Sequence, residues 1–310
     1  MDGDDINLAQ GQLRCTIERR GAQLRSLVDT RCGEEYLWQR DPLVWSDSAP
    51  ILFPVVGRLR DGRYRHGGRE YRMPIHGFAR MGDFVVTEMD GDGATFELVE
   101  TAATLAQYPF RFLLRVRFTL EPHCLHVAYE VENRNGDVMP FSLGSHPGFR
   151  LPPSRGGLND WALLFSEQED PLCYRLDNGL LAREATPFRF ESGNRIVLSP
   201  TLFDADALIF KGVRSRHVRL VHRNGRVRLS VATGGAPDLG LWARPGAPYV
   251  CIEPWFGYDD EAGVSAISGG CGELGAKPGI NLLAAGAVFK AAYSINVPPW
   301  FRLGQAAAGP

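Results

Sequence analysis

Residues 111–120 read RFLLRVRFTL, with Phe112, Leu114, Val116, Phe118 and Leu120 on one parity and Arg111, Arg115 and Arg117 on the other. An apolar–polar period of two sets one face of a strand in a core and the other in water. Glu121-Pro122-His123-Cys124 follows as a turn, and Leu125, Val127, Tyr129 and Val131 then alternate with polar or small neighbours. Together they predict a long antiparallel hairpin. The pattern recurs. Asn224-Gly225, a two-residue turn signal, separates Val218 and Leu220 from Val227, Leu229 and Val231. Gly67-Gly68 lies between Tyr64 and Tyr71, and Asp90-Gly91-Asp92-Gly93 lies between residues 84–86 and 96–98. No helical periodicity persists over a dozen residues. The 35 Gly and 21 Pro are spread along the chain, as a fold with many turns requires. The expectation is an all-β protein with few helices, built as a large antiparallel β-sandwich.

No linker or internal repeat divides the 310 residues, and Pro152–Gly157 has strand-like sequence on both sides. A single domain over 1–303 with a frayed tail over 304–310 is expected. Lys and Arg number 34 against 36 Asp and Glu, so the uniform positive field of a nonspecific nucleic-acid binder is missing. No uncharged apolar run approaches the roughly 18 residues of a spanning helix. The start, MDGDDINLAQ, is acidic and lacks the apolar core of a secretory signal. Six scattered cysteines form no C-x-x-C pair, so spacing points to reduced thiols rather than a zinc or dithiol motif. These readings predict a cytoplasmic protein, monomer or homodimer, with no nucleic-acid or membrane partner.

Some motifs fail on context. Gly270-Cys271-Gly272-Glu273-Leu274-Gly275 spells G-x-G-x-x-G, but Ser268-Gly269 precedes it and Lys277-Pro278-Gly279 follows closely, leaving neither the strand nor the helix of a dinucleotide site. Asp90–Gly93 lacks the ligands of a calcium loop. His123 and His126 sit at a strand start, where a spacing of three sends them to opposite faces.

Three segments place polar groups inside apolar or Gly/Pro-rich sequence. In the first, Arg58 follows an apolar run and Gly57, and the region continues to Pro74-Ile75-His76-Gly77. In the second, Phe141–Phe149, His146 ends an apolar strand and is fixed by Pro147. In the third, Tyr249–Tyr258, Glu253 is a carboxylate among aromatics. Burial against Trp255 and Phe256 would raise its pKa toward the range of a general base, and a histidine is the natural acid partner. Aromatic faces and an arginine fork suit a sugar cleft. A histidine beside proline is commonly only a turn residue, and a glutamate before proline often only ends a strand. Together the set is consistent with acid–base work.

On these segments the chain resembles the aldose 1-epimerase (galactose mutarotase-like) superfamily, closest to a bacterial branch of short members. The matching stretches are PILFPVVGRLRDGRY, PIHGFAR, FSLGSHPGF, LFDADALIFKGVRSR and YVCIEPWFGYDD, in order over residues 48–260, with PGINLLAAGAVFKAAYSINV resembling the closing strands. The resemblance implies a supersandwich fold with Glu253 as general base and His146 as general acid. It implies substrate binding by Arg58, by His76 near the ring oxygen or an adjacent hydroxyl, and by Asp206. Asp204, expected on the same strand face, is the alternative to Asp206. Trp255 is a candidate stacking platform on composition. The segment Ser145-His146-Pro147-Gly148 departs from the N-H-T-Y type of galactose mutarotases. Arg60, Arg80, Arg150 and Arg214 near the matched positions raise the possibility of a phosphorylated sugar.

The expected reaction is interconversion of aldose anomers. Glu253 takes the C1 hydroxyl proton, His146 protonates the ring oxygen, the open chain rotates about C1–C2, and closure reverses the transfers. Acid and base are expected on opposite sides of the hemiacetal. No cofactor or metal is implied, and the partner is a small sugar, an aldohexose or its phosphate. The competing readings are a hexose-6-phosphate mutarotase and a non-catalytic carbohydrate-binding protein on the same fold.

Overall fold

The computed structural model describes residues 5–170, 172–263 and 271–298. The expected tail at 304–310 and Gly270 of the glycine motif lie outside them. Among the described residues the only α-helix is Ala102–Leu105, opened by Thr101, whose side chain accepts from the Thr104 backbone. No helix there is long and apolar enough to cross a membrane.

The hairpin expected at 111–132 forms the spine of the largest sheet. Phe112–Glu121 pairs with Cys124–Asn133 along its whole length, and both strands bury alternate residues. The sheet has nine strands in the order Arg195–Val197, Trp161–Phe165, His217–His222, Val227–Ala232, Val288–Asn296, Cys124–Asn133, Phe112–Glu121, Gly93–Val99 and Val85–Met89. A six-stranded sheet runs Leu208–Lys211, Asp238–Trp242, Tyr249–Phe256, Leu143–Ser145 and Ile51–Leu52, with Gly148–Arg150 also pairing on Tyr249–Phe256. A four-stranded sheet covers residues 6–35. Every ladder in these sheets is antiparallel.

Aromatic packing joins the two large sheets. Phe289 of the nine-stranded sheet meets both Phe141 and Phe256 at 5.3 Å between ring centres. Tyr129 of the same sheet exchanges a 2.8 Å hydrogen bond with Ser145 of the other. Fully burying each such apolar side chain contributes about 1.5–3 kcal/mol, so the alternating strands fix which faces meet. The result is the expected β-sandwich.

Local chemistry follows the turn residues, with one adjustment. Gly67 and Gly68 both have positive φ, at 56° and 78°, as a two-residue type I′ hairpin requires. At Asn224-Gly225 the ladder slips between Leu220 and Val221, and His222 N–H reaches the Arg226 carbonyl. The loop is therefore Arg223-Asn224-Gly225, three residues closed by a bulge, rather than the expected two. His123 lies in the hairpin loop and bonds Gln12, while His126 on the strand pairs with Glu121 at 3.3 Å. The described part of the glycine motif is irregular apart from one 3₁₀ turn, Leu274–Ala276. All six cysteines are free, and only Cys32 is exposed.

Candidate active site

Tyr249–Phe256 is the strand around which the site is built, because it has partners on both sides. Leu143–Ser145 and Gly148–Arg150 both pair with it, so His146-Pro147 is the crossing between two short strands on the same neighbour. The Ile252 N–H donates to the Pro147 carbonyl at 3.3 Å. The residue before Glu253 is thereby tied to the residue after His146. Glu253 stands opposite Gly240 in the register and is 1% exposed.

His146 Nε2 lies 3.3 Å from Glu253 Oε2. Trp45 stacks on the His146 ring at 5.0 Å, and Trp242 and His76 meet it edge-on at 5.8 and 5.6 Å. Enclosed on these sides, the imidazole is hard to charge, and burial drops its pKa to about 3. Burial acts in the opposite sense on Glu253 and raises its pKa well above the usual carboxylate range, helped by the charge of Asp259. The Trp255 indole favours the charged carboxylate without the alignment of a full hydrogen bond. The two shifts have one cause: burial disfavours the charged form of each group.

The two groups expected to serve as base and acid on a hemiacetal are immediate neighbours. The ring oxygen and the anomeric hydroxyl are bonded to the same carbon. A carboxyl and an imidazole 3.3 Å apart can each face one of them.

His76 sits in a strained spot with φ 63°. It is held by a reciprocal pair of bonds with Gly57. Its N–H donates to the Gly57 carbonyl at 2.8 Å, and the Gly57 N–H donates to His76 Nδ1 at 3.1 Å. With Nδ1 accepting, the neutral ring carries its proton on Nε2. Burial, with His146 and the arginines Arg80 and Arg58 adding to it, lowers the His76 pKa well below that of a free histidine. Only Ile51–Leu52 of the apolar run before Arg58 is a strand; Pro54, which has no N–H to offer a ladder, follows. Gly57 turns the chain with φ 71°, and the Arg58 N–H donates to Asp259 Oδ1 at 2.6 Å.

Arg58, His76, His146, Asp206 and Glu253 all line one cleft of about 500 Å³. Asp204 lines it too. The two aspartates are not on a strand as expected. They occupy a turn that ends at Leu208–Lys211, where Asp206 adopts φ 69° and its Oδ1 accepts from the Ala207 N–H. Of the four additional arginines, Arg80 alone lines the cleft, paired with Asp47 at 3.0 Å. Arg60 bonds the carbonyl of Glu261, and the backbone N–H of Arg214 bonds Glu169. Arg150 is exposed away from the cleft.

Trp255 touches the cleft but is 3% exposed. Its indole lies against Gly144 and Gly240, where an added Cβ would come within 2.8 and 2.5 Å of the ring. It is therefore wedged into the cleft floor and is not a free platform. The other Trp and Phe side chains lining the cleft are Trp45, Phe203 and Trp242, which the sequence reading did not single out. It also missed Arg244 and Asp259. Asp259, six residues beyond Glu253 in the same conspicuous segment, carried the one available signal.

Three comparisons bear on this geometry. The sequence profile of the family described as Aldose 1-epimerase matches residues 4–280. The chain belongs to that family. The protein LacX (chromosomal) of Lactococcus lactis subsp. lactis is 34% identical over 264 residues, 81% of this chain and 87% of that protein. A galactose mutarotase related enzyme from Lactobacillus acidophilus superposes with a TM-score of 0.88 at 32% identity, over 95% of this chain and 97% of that one. A galactose mutarotase-like protein from Lactobacillus casei ATCC 334 gives 0.87 at 29% identity, over 95% and 100%. The sandwich is thus a galactose mutarotase-like fold, and membership of this aldose 1-epimerase family implies that the chain binds a sugar.

Proposed function

We propose that the protein is an aldose 1-epimerase, which interconverts the α and β anomers of an aldose by opening and reclosing the ring. The observation that carries this reading is the buried carboxyl–imidazole pair, Glu253 and His146, 3.3 Å apart on the floor of a cleft of hexose size.

The pair holds one exchangeable proton. With that proton on His146, Glu253 is a carboxylate base and His146 an imidazolium acid. Glu253 removes the proton from the C1 hydroxyl while His146 protonates the ring oxygen, and the C1–O5 bond breaks. The open-chain aldehyde turns about C1–C2. Closure runs the transfers backwards, with neutral His146 taking the proton of the C5 hydroxyl and the Glu253 carboxyl returning one to the C1 oxygen. His76, protonated on Nε2, donates to the sugar beside the reacting centre, and Arg58 and Asp206 bind hydroxyls. Rate comes from orientation and from acid–base transfer.

Polarimetry or NMR anomer exchange on freshly dissolved α-glucose, α-galactose and glucose 6-phosphate tests this. Wild type is expected to accelerate exchange, and Glu253→Gln to lose about 10²–10⁴-fold. A Glu253→Gln enzyme of full rate sinks the mechanism, and sugar binding without acceleration by wild type favours a carbohydrate-binding protein.

A phosphorylated hexose remains a second reading because of the cleft's cations. Arg58 and Arg244 both line it and, among the described residues, neither meets a carboxylate as an ion pair. An arginine fork without an acidic partner suits a phosphate. Preference for glucose 6-phosphate that disappears in Arg244→Ala would select this reading.

A further inference from the structure

The catalytic pair has a third neighbour. Cys251 and Glu253 are two residues apart on Tyr249–Phe256 and so project to the same side of the sheet. A ligand atom from each of His146, Cys251 and Glu253 lies within 4.8 Å of the other two, and all three residues are buried. Glu253 Oε2, which faces His146 Nε2 at 3.3 Å, has no hydrogen-bond partner although its side chain is 1% exposed. Leaving such atoms unpaired is costly, and an unpaired buried donor set calls for a ligand.

We propose that His146, Cys251 and Glu253 form a binding site for a thiophilic divalent cation, zinc foremost, and that the bound cation shuts the cleft to the sugar. The geometry fits. Zinc bonds to nitrogen and oxygen of about 2.0–2.1 Å at a tetrahedral angle set the two ligand atoms about 3.3–3.4 Å apart. His146 Nε2 and Glu253 Oε2 are 3.3 Å apart. With a Zn–S bond of about 2.3 Å, sulfur belongs about 3.5 Å from each, so Cys251 Sγ, within 4.8 Å of both, needs a shift of at most about 1.3 Å. Three protein ligands leave a fourth position for water, and a cation there occupies the atoms that would otherwise face the sugar.

The donor set also chooses the ion. Calcium takes six to eight oxygens and magnesium an octahedral oxygen shell, and one carboxylate cannot supply either. A thiolate with an imidazole selects zinc and its tetrahedral relatives. One thiolate and one carboxylate balance the two positive charges, which a buried dication requires. No spacing motif betrays the site, because His146 comes from a different part of the sheet. The site rests on donor geometry alone; only its effect on turnover rests on the anomer-exchange reading.

The test is a titration of metal-free protein with Co²⁺, which takes the zinc geometry and reports a bound thiolate through a near-ultraviolet charge-transfer band. Wild type is expected to develop that band, to lose it on adding Zn²⁺, and to show a weaker band in the presence of the sugar it binds. Removal of an outer neighbour of a metal ligand already costs about 10–100-fold in affinity. Cys251→Ser and Glu253→Gln, each losing a ligand itself, are expected to raise the Zn²⁺ Kd by more than about 100-fold. Cys32→Ser and Cys271→Ser are expected to keep the band. Cys251→Ala replaces Cys251→Ser if the latter does not fold. Absence of a thiolate band in wild type at millimolar Co²⁺, or a band that survives loss of the Cys251 thiol, overturns the proposal.

Discussion

Asp259 offers a measurement in which burial and charge predict a slope. It is 4% exposed and lines the cleft. Burial raises its pKa from 3.8 to about 7, against the Arg58 backbone N–H and the charge of Lys277, which favour the carboxylate. The folded protein therefore holds the Asp259 proton up to about pH 7, and the unfolded chain releases it near 3.8. Between those values the folded state binds more protons, so stability falls as pH rises. The contribution is fully present below about 3.8 and lost by about 7. At about 1.4 kcal/mol per pH unit, the loss amounts to about 4 kcal/mol. Asp259→Asn keeps an oxygen for the Arg58 N–H and cannot ionise. Urea unfolding of both proteins, followed by tryptophan fluorescence, is expected to show the Asn variant gaining on wild type by up to about 4 kcal/mol between about pH 4 and pH 8. A flat difference would refute the burial argument. A difference of opposite sign would mean that the Arg58 N–H and Lys277 outweigh desolvation.

Other outcomes follow from single contacts. Gly57→Ala forces a left-handed φ on a side chain at about 1–2 kcal/mol and brings its Cβ within 2.1 Å of the Asp259 carboxylate; a lowered Tm together with a raised KM is expected. Phe53 is fully buried among Phe78, Tyr108, Phe112 and Phe141, and Phe53→Ala should cost about 3–5 kcal/mol in chemical denaturation. A hydrogen bond to a charged group is worth about 1.5–3 kcal/mol. Whichever of Asp204→Asn and Asp206→Asn breaks one should therefore raise KM by about 10–100-fold with a smaller change in kcat, and equal KM values for both variants and wild type would remove the pair from sugar binding.

Strands and hairpins were legible because each signals itself locally. The parity of Phe112 to Leu120 sets a buried face, and Gly67-Gly68 supplies the positive φ its turn demands. The central site residues were legible for a related reason: Glu253 and His146 are polar groups in apolar strand sequence, which only burial or function accommodates. What escaped was decided by distant chain crossings. Trp45 reaches His146 from a loop whose own sequence carries no periodic pattern. Arg60 and Arg80 lie in the same stretch of chain, yet one turns to Glu261 and the other into the cleft. Asp206 looked like a strand residue because Leu208–Lys211 follows, but the strand begins only at Leu208, and Asp206 still lies in the turn before it with φ 69°. Trp255 looked like a sugar platform until Gly144 and Gly240 accounted for where its ring lies.

The place of Val288–Asn296 bears on how the chain is made. In the nine-stranded sheet it alone joins Cys124–Asn133 to Val227–Ala232, and it is the last of the nine to leave the ribosome. Until it emerges, the hairpin of residues 112–133 and the strand at 227–232 each present an open row of amides and carbonyls to whatever lies nearby. Pairing across such sequence distances is slow, and waiting edges of this kind invite aggregation. The nascent protein therefore carries one open edge from the time residue 133 emerges and a second from residue 232, and a stall or truncation before residue 288 would leave the two parts of the sheet with no strand to join them.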